Sequence, residues 1–414
     1  MTKWIFDKLT HGQELDDDRD FATVPSIDRD DLGIGRSLTG FIHLVDAILA
    51  APPNPFIAAG RNADTDAASK VFWTYTAEGE FHLRAASGFL TTDSGNGGFT
   101  LDVERDGSWR LTFDGSDKVI GHEAGEAQIP PPPPSAGLIP ITIAGSGPAF
   151  YDSTTDHINP TGPKLIDGGL GRDTFQGGIG DYMIGGDAGL LASRAPGTGN
   201  CAIYTKSAGS VLVDLQNGFG YGGNAEGNVY ADMNQVRGSL LTNILIGNTT
   251  GSDLKSGGNN SVLISTGGNG FELRPDGRGN VLISTAGGDR LAFEPGKGWA
   301  LGDDNIMLGF DPSTGDSIDI HLLTVHGARL SIAGGTAITT SNFHDLTATG
   351  YNPATGAGNI SAYVRFDDVA NDGTHVFFDP RGHVQAGGGY DLADLKFAHG
   401  LSVEALYAAG RITA

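Results

Sequence analysis

Apolar and polar positions alternate in four short segments near the front of the chain, Val71 to Thr76, Glu80 to Arg84, Phe99 to Glu104 and Ser108 to Phe113. A period of two belongs to half-buried strands. Asp106-Gly107 between the last two is a hairpin signal, and it would set Phe99, Leu101 and Val103 opposite Trp109, Leu111 and Phe113. Ahead of them Leu38, Phe41, Ile42, Val45, Ile48 and Leu49 recur at helical spacing until Pro52 and Pro53, which predicts one short amphipathic helix over 37–50. Residues 1 to about 36 carry two aspartate clusters, Asp16, Asp17, Asp18 and Asp20, then Asp28, Asp30 and Asp31. With little apolar pattern around them, they read as a solvated arm rather than a metal site.

Five consecutive prolines, Pro130 to Pro134, mark the clearest boundary, because such a run is held in polyproline II and acts as a stiff spacer. Beyond it the pattern changes. Leu165 to Gly189 repeats a Gly-Gly pair every eight or nine residues, with an acid after each pair and an apolar residue between pairs, at Ile166, Phe175 and Ile184. A looser repeat follows: Leu245-Ile246, Leu263-Ile264 and Leu282-Ile283 lie 18 and 19 residues apart, preceded by Asn243, Asn260 and Asn280. That spacing is two nonapeptides, one full turn of a parallel β-roll. Alternation resumes at Ala362 to Phe366 and His375 to Phe378. The expectation is a mainly β chain: an N-terminal β-rich domain with one helix over 1–128, a linker over 129–140, a parallel β-roll or β-helix over 141–300, and a β-rich cap over 301–414.

Composition sharpens this. Glycine accounts for 65 of the 414 residues, about twice the usual ~7 % share, which favours turns over helices. The net charge of −23 argues against nucleic acid or an anionic membrane surface as partner and suits cations. Cys201 is the only cysteine, so neither an intrachain disulfide nor a cysteine-rich metal site can form. No apolar stretch is long enough to span a bilayer, and the first residues, MTKWIFDKLTHGQELDDD, lack the pattern of an N-terminal export signal.

Residues 168–176 fill every fixed position of the nonapeptide G-G-x-G-x-D-x-U-x with Gly168, Gly169, Gly171, Asp173 and Phe175; the next unit is one residue short, with Asp181 directly after Gly180. This stretch resembles the RTX (repeats-in-toxin) family. The order Val211 to Leu215, a glycine-rich bend, Asp232 and Val236 to Gly247 resembles the linker between RTX repeats, and Asn305 to Ile320 resembles the element that closes RTX rolls. The resemblance implies a Ca²⁺-binding β-roll, with metal contacts at Asp156, Asp167, Gly169, Gly171, Asp173, Gly178, Gly180, Asp181 and Asp187. A hard cation takes six to eight oxygens, which stacked turns of carboxylates and carbonyls can offer. In the looser repeat only Asp253, Asp276 and Asp289 remain of the expected acids, so asparagines, serines and packing stand in for metal there. The resemblance also implies export by the type I secretion machinery on a C-terminal signal, hence a secreted, surface-associated protein.

Neither H-E-x-x-H nor G-x-S-x-G occurs, and the eleven histidines are scattered, with His321 and His326 five apart and His122-Glu123 alone near the spacer. The expectation is a non-enzymatic calcium-binding structural protein of the cell surface or matrix, an S-layer, biofilm matrix or filament subunit that self-associates through its N-terminal domain and roll. The alternatives are an adhesin or carbohydrate-binding protein meeting surface polysaccharide, and a polysaccharide-active enzyme using two of the 49 acids.

Overall fold

The computed structural model describes residues 57–61, 71–76, 80–85, 98–104, 106–114, 119–122, 139–142, 150–152, 163–169, 172–186, 199–248, 251–266, 270–277, 279–285, 287–293, 305–320, 323, 360–370, 372–379, 384 and 390–413. The acidic arm, the 37–50 helix and the proline run lie outside the described residues. The chain is mainly β and divides into two compact units, Met1–Ala124 and Gly125–Ala414.

In the first unit six strands pair antiparallel in sequence order: β1 (Ile57–Arg61), β2 (Val71–Thr76), β3 (Phe81–Ala85), β4 (Phe99–Val103), β5 (Trp109–Phe113) and β6 (Val119–His122). Phe99 stands across from Phe113, Leu101 from Leu111 and Val103 from Trp109, the register that the alternation predicts. Phe81, Leu83, Phe99, Leu101 and Leu111 are fully buried on one face. The other face holds Thr74, His82 and Thr100, also buried, with His82 Nδ1 2.8 Å from Asp102 Oδ1.

The second unit is a roll of very short strands. It opens with β7 (Ile139–Thr142), β8 (Phe150–Asp152), β9 (Lys164–Asp167), β10 (Thr174–Gln176), β11 (Tyr182–Ile184) and β12 (Cys201–Ile203). An antiparallel excursion follows: β13 (Leu212–Asp214), β14 (Phe219–Tyr221) and β15 (Val229–Ala231). Regular winding resumes with β16 (Gln235–Arg237), β17 (Ile244–Ile246), β18 (Asp253–Lys255), β19 (Val262–Ile264), β20 (Glu272–Arg274), β21 (Val281–Ile283), β22 (Arg290–Ala292), β23 (Ile306–Leu308) and β24 (Ser317–Asp319). The unit closes with β25 (Val364–Val369), β26 (Gly373–Phe378), β27 (Tyr390–Lys396), helix α1 (Val403–Ala408) and β28 (Ile412–Thr413). β8, β10, β12, β16, β18, β20, β22, β24 and β28 form a nine-stranded sheet, parallel throughout, and the remaining strands of this unit form a thirteen-stranded one. Each turn of the roll adds one strand to each sheet.

A strand of three residues has one central side chain, and that side chain points inward. Ile166, Phe175, Met183, Ala202, Leu245, Leu254, Leu263, Leu273, Leu282, Leu291, Met307 and Ile318 form one buried column between the sheets. The sequence pattern gives the third inward place to Ile184, but β11 pairs Met183 with Ile166 and buries Met183 instead. The shortened repeat before Asp181 moves the phase by one residue, which in a strand exchanges the two faces. Stacking brings the turns as close as the strands. Gly186 is left-handed, with φ +84°, and a Cβ there would stand 2.1 Å from the Gly169 carbonyl oxygen.

The outer faces differ. On the thirteen-stranded sheet Ile244, Ile246, Val262, Ile264, Val281, Ile283 and Leu308 are at most 2 % exposed, although they point away from the inner column. Both faces of these strands are withdrawn from water, which is why they read ILI, VLI and VLI without alternation. The nine-stranded sheet carries charges outward instead: Arg274 pairs with Asp253 at 3.1 Å and with Glu272, and Arg290 pairs with Glu272 and, at 3.3 Å, with Asp319.

A buried polar residue stands two positions before the inward residue of most rungs. At several of these places its side-chain oxygen accepts the backbone N–H of its counterpart one rung earlier. The Asn243 N–H donates to Ser261 Oγ at 3.0 Å, Ser261 N–H to Asn280 Oδ1 at 2.9 Å, and Asn280 N–H to Asn305 Oδ1 at 3.1 Å. These amides face the start of a turn where no ladder carbonyl reaches, and a buried amide left unpaired costs about 1–3 kcal/mol. Asn280→Ala strands the Ser261 amide and should lower the unfolding free energy by about 1–3 kcal/mol, read from denaturant midpoints at constant m-value.

Candidate metal-binding turns

Of the acids that the RTX resemblance points to, Asp173 and Asp181 sit in these same turns. Asp181 occupies the ladder position of the thirteen-stranded sheet: its Oδ1 accepts the Lys164 N–H at 3.0 Å and its Oδ2 the Gly178 N–H at 2.8 Å, while its own N–H donates to Asn228 Oδ1 at 2.8 Å. Gly180 shapes that turn with φ +73° and donates its N–H to the Glu226 carbonyl at 2.8 Å. Asp173 holds the matching position of the nine-stranded sheet and is fully buried; its N–H donates to Asn200 Oδ1 at 2.9 Å. Its carboxylate fills the space where a side chain on Gly168 would begin, with Oδ2 2.5 Å from that Cβ position. Asp167 closes its own turn by accepting the Gly169 N–H at 3.0 Å, and Gly169 is left-handed at φ +73°. Asp156, Gly171 and Asp187 lie outside the described residues. The structure therefore brings Asp173 and Asp181 into successive turns, one leading into each sheet, and aims the oxygens of Asp181 at backbone donors.

A second acidic turn lies later in the roll. Asp316 is buried, with Oδ1 accepting the Asp289 N–H at 2.9 Å and Oδ2 accepting the Asp311 N–H at 2.9 Å and the Ser284 hydroxyl at 3.1 Å. Asp289 is fully buried, and the Ser265 and Ser284 hydroxyls and the Phe271 backbone lie beside its carboxylate without good hydrogen-bond alignment. Burial first, and then the charge of Asp316, pushes Asp289 up to about 7, against the favourable polarity of the Ser265 and Ser284 hydroxyls. Asp316 is likewise raised by burial. Sequence reading carried Asp289 only as a leftover acid. The signal was present: Gly287-Gly288-Asp289 stands two residues before Leu291, as Asp173 stands before Phe175.

Two further acids are buried without a cation beside both oxygens. Asp214 is pushed up to about 7 by burial, opposed by the Asn217 backbone and side-chain N–H groups, each 3.0 Å away. Asp253 is raised by burial to about 6, opposed first by Arg274. Cys201 is buried and its thiol is pushed up to about 12 by burial, which leaves it unreactive.

Among the described residues one group of three potential ligands converges, Asp372, His375 and Asp394, with ligand atoms within 4.8 Å of one another. Lys396 Nζ lies 2.6 Å from Asp372 and 3.2 Å from Asp394, so an ammonium already supplies positive charge there. The group is an ion-pair network. Among the described residues no helix is long and apolar enough to cross a membrane. No family model, no curated protein and no solved structure matches the chain.

Asp214 generates a pH prediction of definite sign. Its folded value lies above the ~3.9 of an unfolded aspartate, so the folded state binds the extra proton between the two and loses stability as pH rises through about 7. Asp214→Asn should flatten the fall in unfolding free energy between pH 4 and pH 7.5, by up to a few kcal/mol on the order of 1.4 per pH unit. Parallel denaturant curves for both proteins across that range check it; equal slopes would contradict the assignment.

Proposed function

We propose that this chain is a secreted calcium-binding structural protein of the cell surface or extracellular matrix, an RTX-like roll that completes its folding on Ca²⁺. The observation that carries the reading is Asp289: a fully buried carboxylate whose neighbouring donors, the Ser265 and Ser284 hydroxyls, are poorly aligned, beside the buried carboxylate of Asp316. An uncompensated buried anion is costly, and it persists where something supplies positive charge. The groups around it are all oxygen donors, Asp289, Asp316, Ser265 and Ser284, the set that a hard cation takes and a soft one does not.

Calcium held there would neutralise the two carboxylates and tie two turns together. Ion bound to the native roll but not to the unfolded chain adds its binding free energy to folding, about 2.7 kcal/mol at one hundred times Kd. Without the ion, Asp289 and Asp316 repel across the turn and glycine-rich segments such as Gly287-Gly288 carry a high ordering entropy. That combination suits a chain exported unfolded and folded outside. The acids of the first block already serve backbone amides, so an ion there competes with the Lys164 and Gly178 donors at Asp181. The structural role rests on repetition: each rung pairs with its neighbours, and exposed apolar residues stand on turns, with Leu240 69 % and Ile179 55 % exposed. Such turns are available for contacts between copies.

Titrating Ca²⁺ into chelator-treated protein should raise Tm by several degrees and increase the β-sheet circular dichroism signal. Asp289→Asn with Asp316→Asn should abolish most of that rise, whereas Asp181→Asn should lower stability with and without calcium alike. A Tm indifferent to both chelator and calcium sinks the calcium reading. Electron microscopy and light scattering of the calcium-loaded protein test assembly separately, and a strict monomer at high concentration removes the structural role alone.

A further inference from the structure

The roll ends in a cap of ladder-paired strands in which one histidine faces several acids. β27 extends the thirteen-stranded sheet by pairing Asp394 with Ile306 and Leu395 with Met307, and β26 and β25 pair antiparallel beyond it. His375, on β26, stands directly across from Asp394 of β27 and Asp367 of β25. Its Nε2 lies 2.9 Å from Asp372 Oδ2, and its Nδ1 lies 2.6 Å from Asp394 Oδ1 and 3.6 Å from Asp391 Oδ2. The ring stacks on Phe377 at 6.4 Å between centroids and 12° between planes, and Phe377 also carries the Arg365 guanidinium 4.5 Å from its centroid.

Among the described residues the charged groups facing the ring are Asp372, Asp391 and Asp394, with Lys396 bridging Asp372 and Asp394 and Asp367 paired with Arg365 at 2.9 Å. Nε2 is hydrogen-bonded to Asp372, whereas Nδ1 meets Asp394 Oδ1 as an ion-pair contact outside hydrogen-bonding geometry, so a neutral imidazole keeps at most the Asp372 bond and loses the charge attraction to Asp394. Only the imidazolium holds both. We propose that His375 is a proton-operated latch, which when doubly protonated ties the Asp372 turn and β27 to β26, and on deprotonation releases one of them and loosens the cap. The ring is 22 % exposed, so protons reach it from solvent.

The electrostatic surroundings agree in direction. Burial lowers the ring's proton affinity, but the Asp372 hydrogen bond and the Asp394, Asp391 and Asp372 charges together hold it above the ordinary 6.5. A histidine raised on folding gives stability that is complete below its unfolded value and is lost as pH rises through its folded value. The latch is closed in mild acid and opens toward alkaline pH.

Two measurements on the full chain test it. Nitrogen-detected NMR of the His375 ring should show both nitrogens protonated at pH 6 and a titration midpoint above 6.5; a midpoint at or below 6.5 overturns the proposal. Amide exchange, corrected for the intrinsic rate, should show protection of residues 374–378 and 390–396 falling about tenfold or more between pH 6 and pH 9. In His375→Gln that pH dependence should vanish while the amides of Leu263 and Leu282 keep theirs. Equal loss of cap protection in the wild type and His375→Gln refutes the latch. Asp394→Asn provides a second arm, in which the ring midpoint should fall; an unmoved midpoint counts against the same conclusion.

Discussion

The structure depends on how backbone amides are satisfied at the turns of rungs only three residues wide. Within a strand the parallel ladder pairs every N–H and C=O, but the residue before each strand faces a turn. In this chain a side-chain oxygen from the following rung fills that gap, as Asn280 does for Ser261 and Asn305 does for Asn280. Where it occurs the interaction runs in one direction along the roll, from a rung to the one before it; the nine-stranded sheet breaks it at Asn234, whose Oδ1 accepts no hydrogen bond, and at Phe271. It also explains why asparagine, serine and aspartate exchange freely at that position, since all of them present an acceptor oxygen.

Seen this way, the aspartates of the first block and those of the later turn differ in kind. Asp181 is an acceptor in the same column as Asn228, and its charge strengthens bonds to amides. Asp289 holds the corresponding place before β22 but keeps a fully buried carboxylate whose neighbouring donors are poorly aligned. The ladder needs its N–H, which goes to Asp316, and the side chain is surplus to it.

Much of this was legible in the sequence where contacts are short-range or periodic. The β4–β5 register followed from alternation and Asp106-Gly107, and the 18-to-19-residue spacing placed Leu245, Leu263 and Leu282 in one column. Glycine pairs are a poor ruler for the phase of the first repeats, since the one-residue deletion before Asp181 shifts the strand but not the pairs. The better ruler is the polar residue two places before each inward side chain, which puts Met183, rather than Ile184, behind Asp181. The second buried face of the thirteen-stranded sheet was not legible, since an apolar triplet such as Val262–Ile264 is equally consistent with one buried face or two. The His375 network escaped because its members come from three strand positions and a turn that no local spacing connects.

The final strand of the nine-stranded sheet has a consequence for the order of events. β28 lies parallel beside β24, and Arg411 reaches back to the Gly315 carbonyl across 96 residues of chain. Every other rung from β16 to β22 can be templated by the strand made just before it, so winding can follow synthesis or emergence from a pore. This edge cannot be covered until a distant segment has arrived, and closing so long a loop is slow relative to local pairing. Until then β24 offers an open edge to any passing strand. The interval between finishing the roll and seating its last strand is therefore the moment at which one molecule is most able to join another.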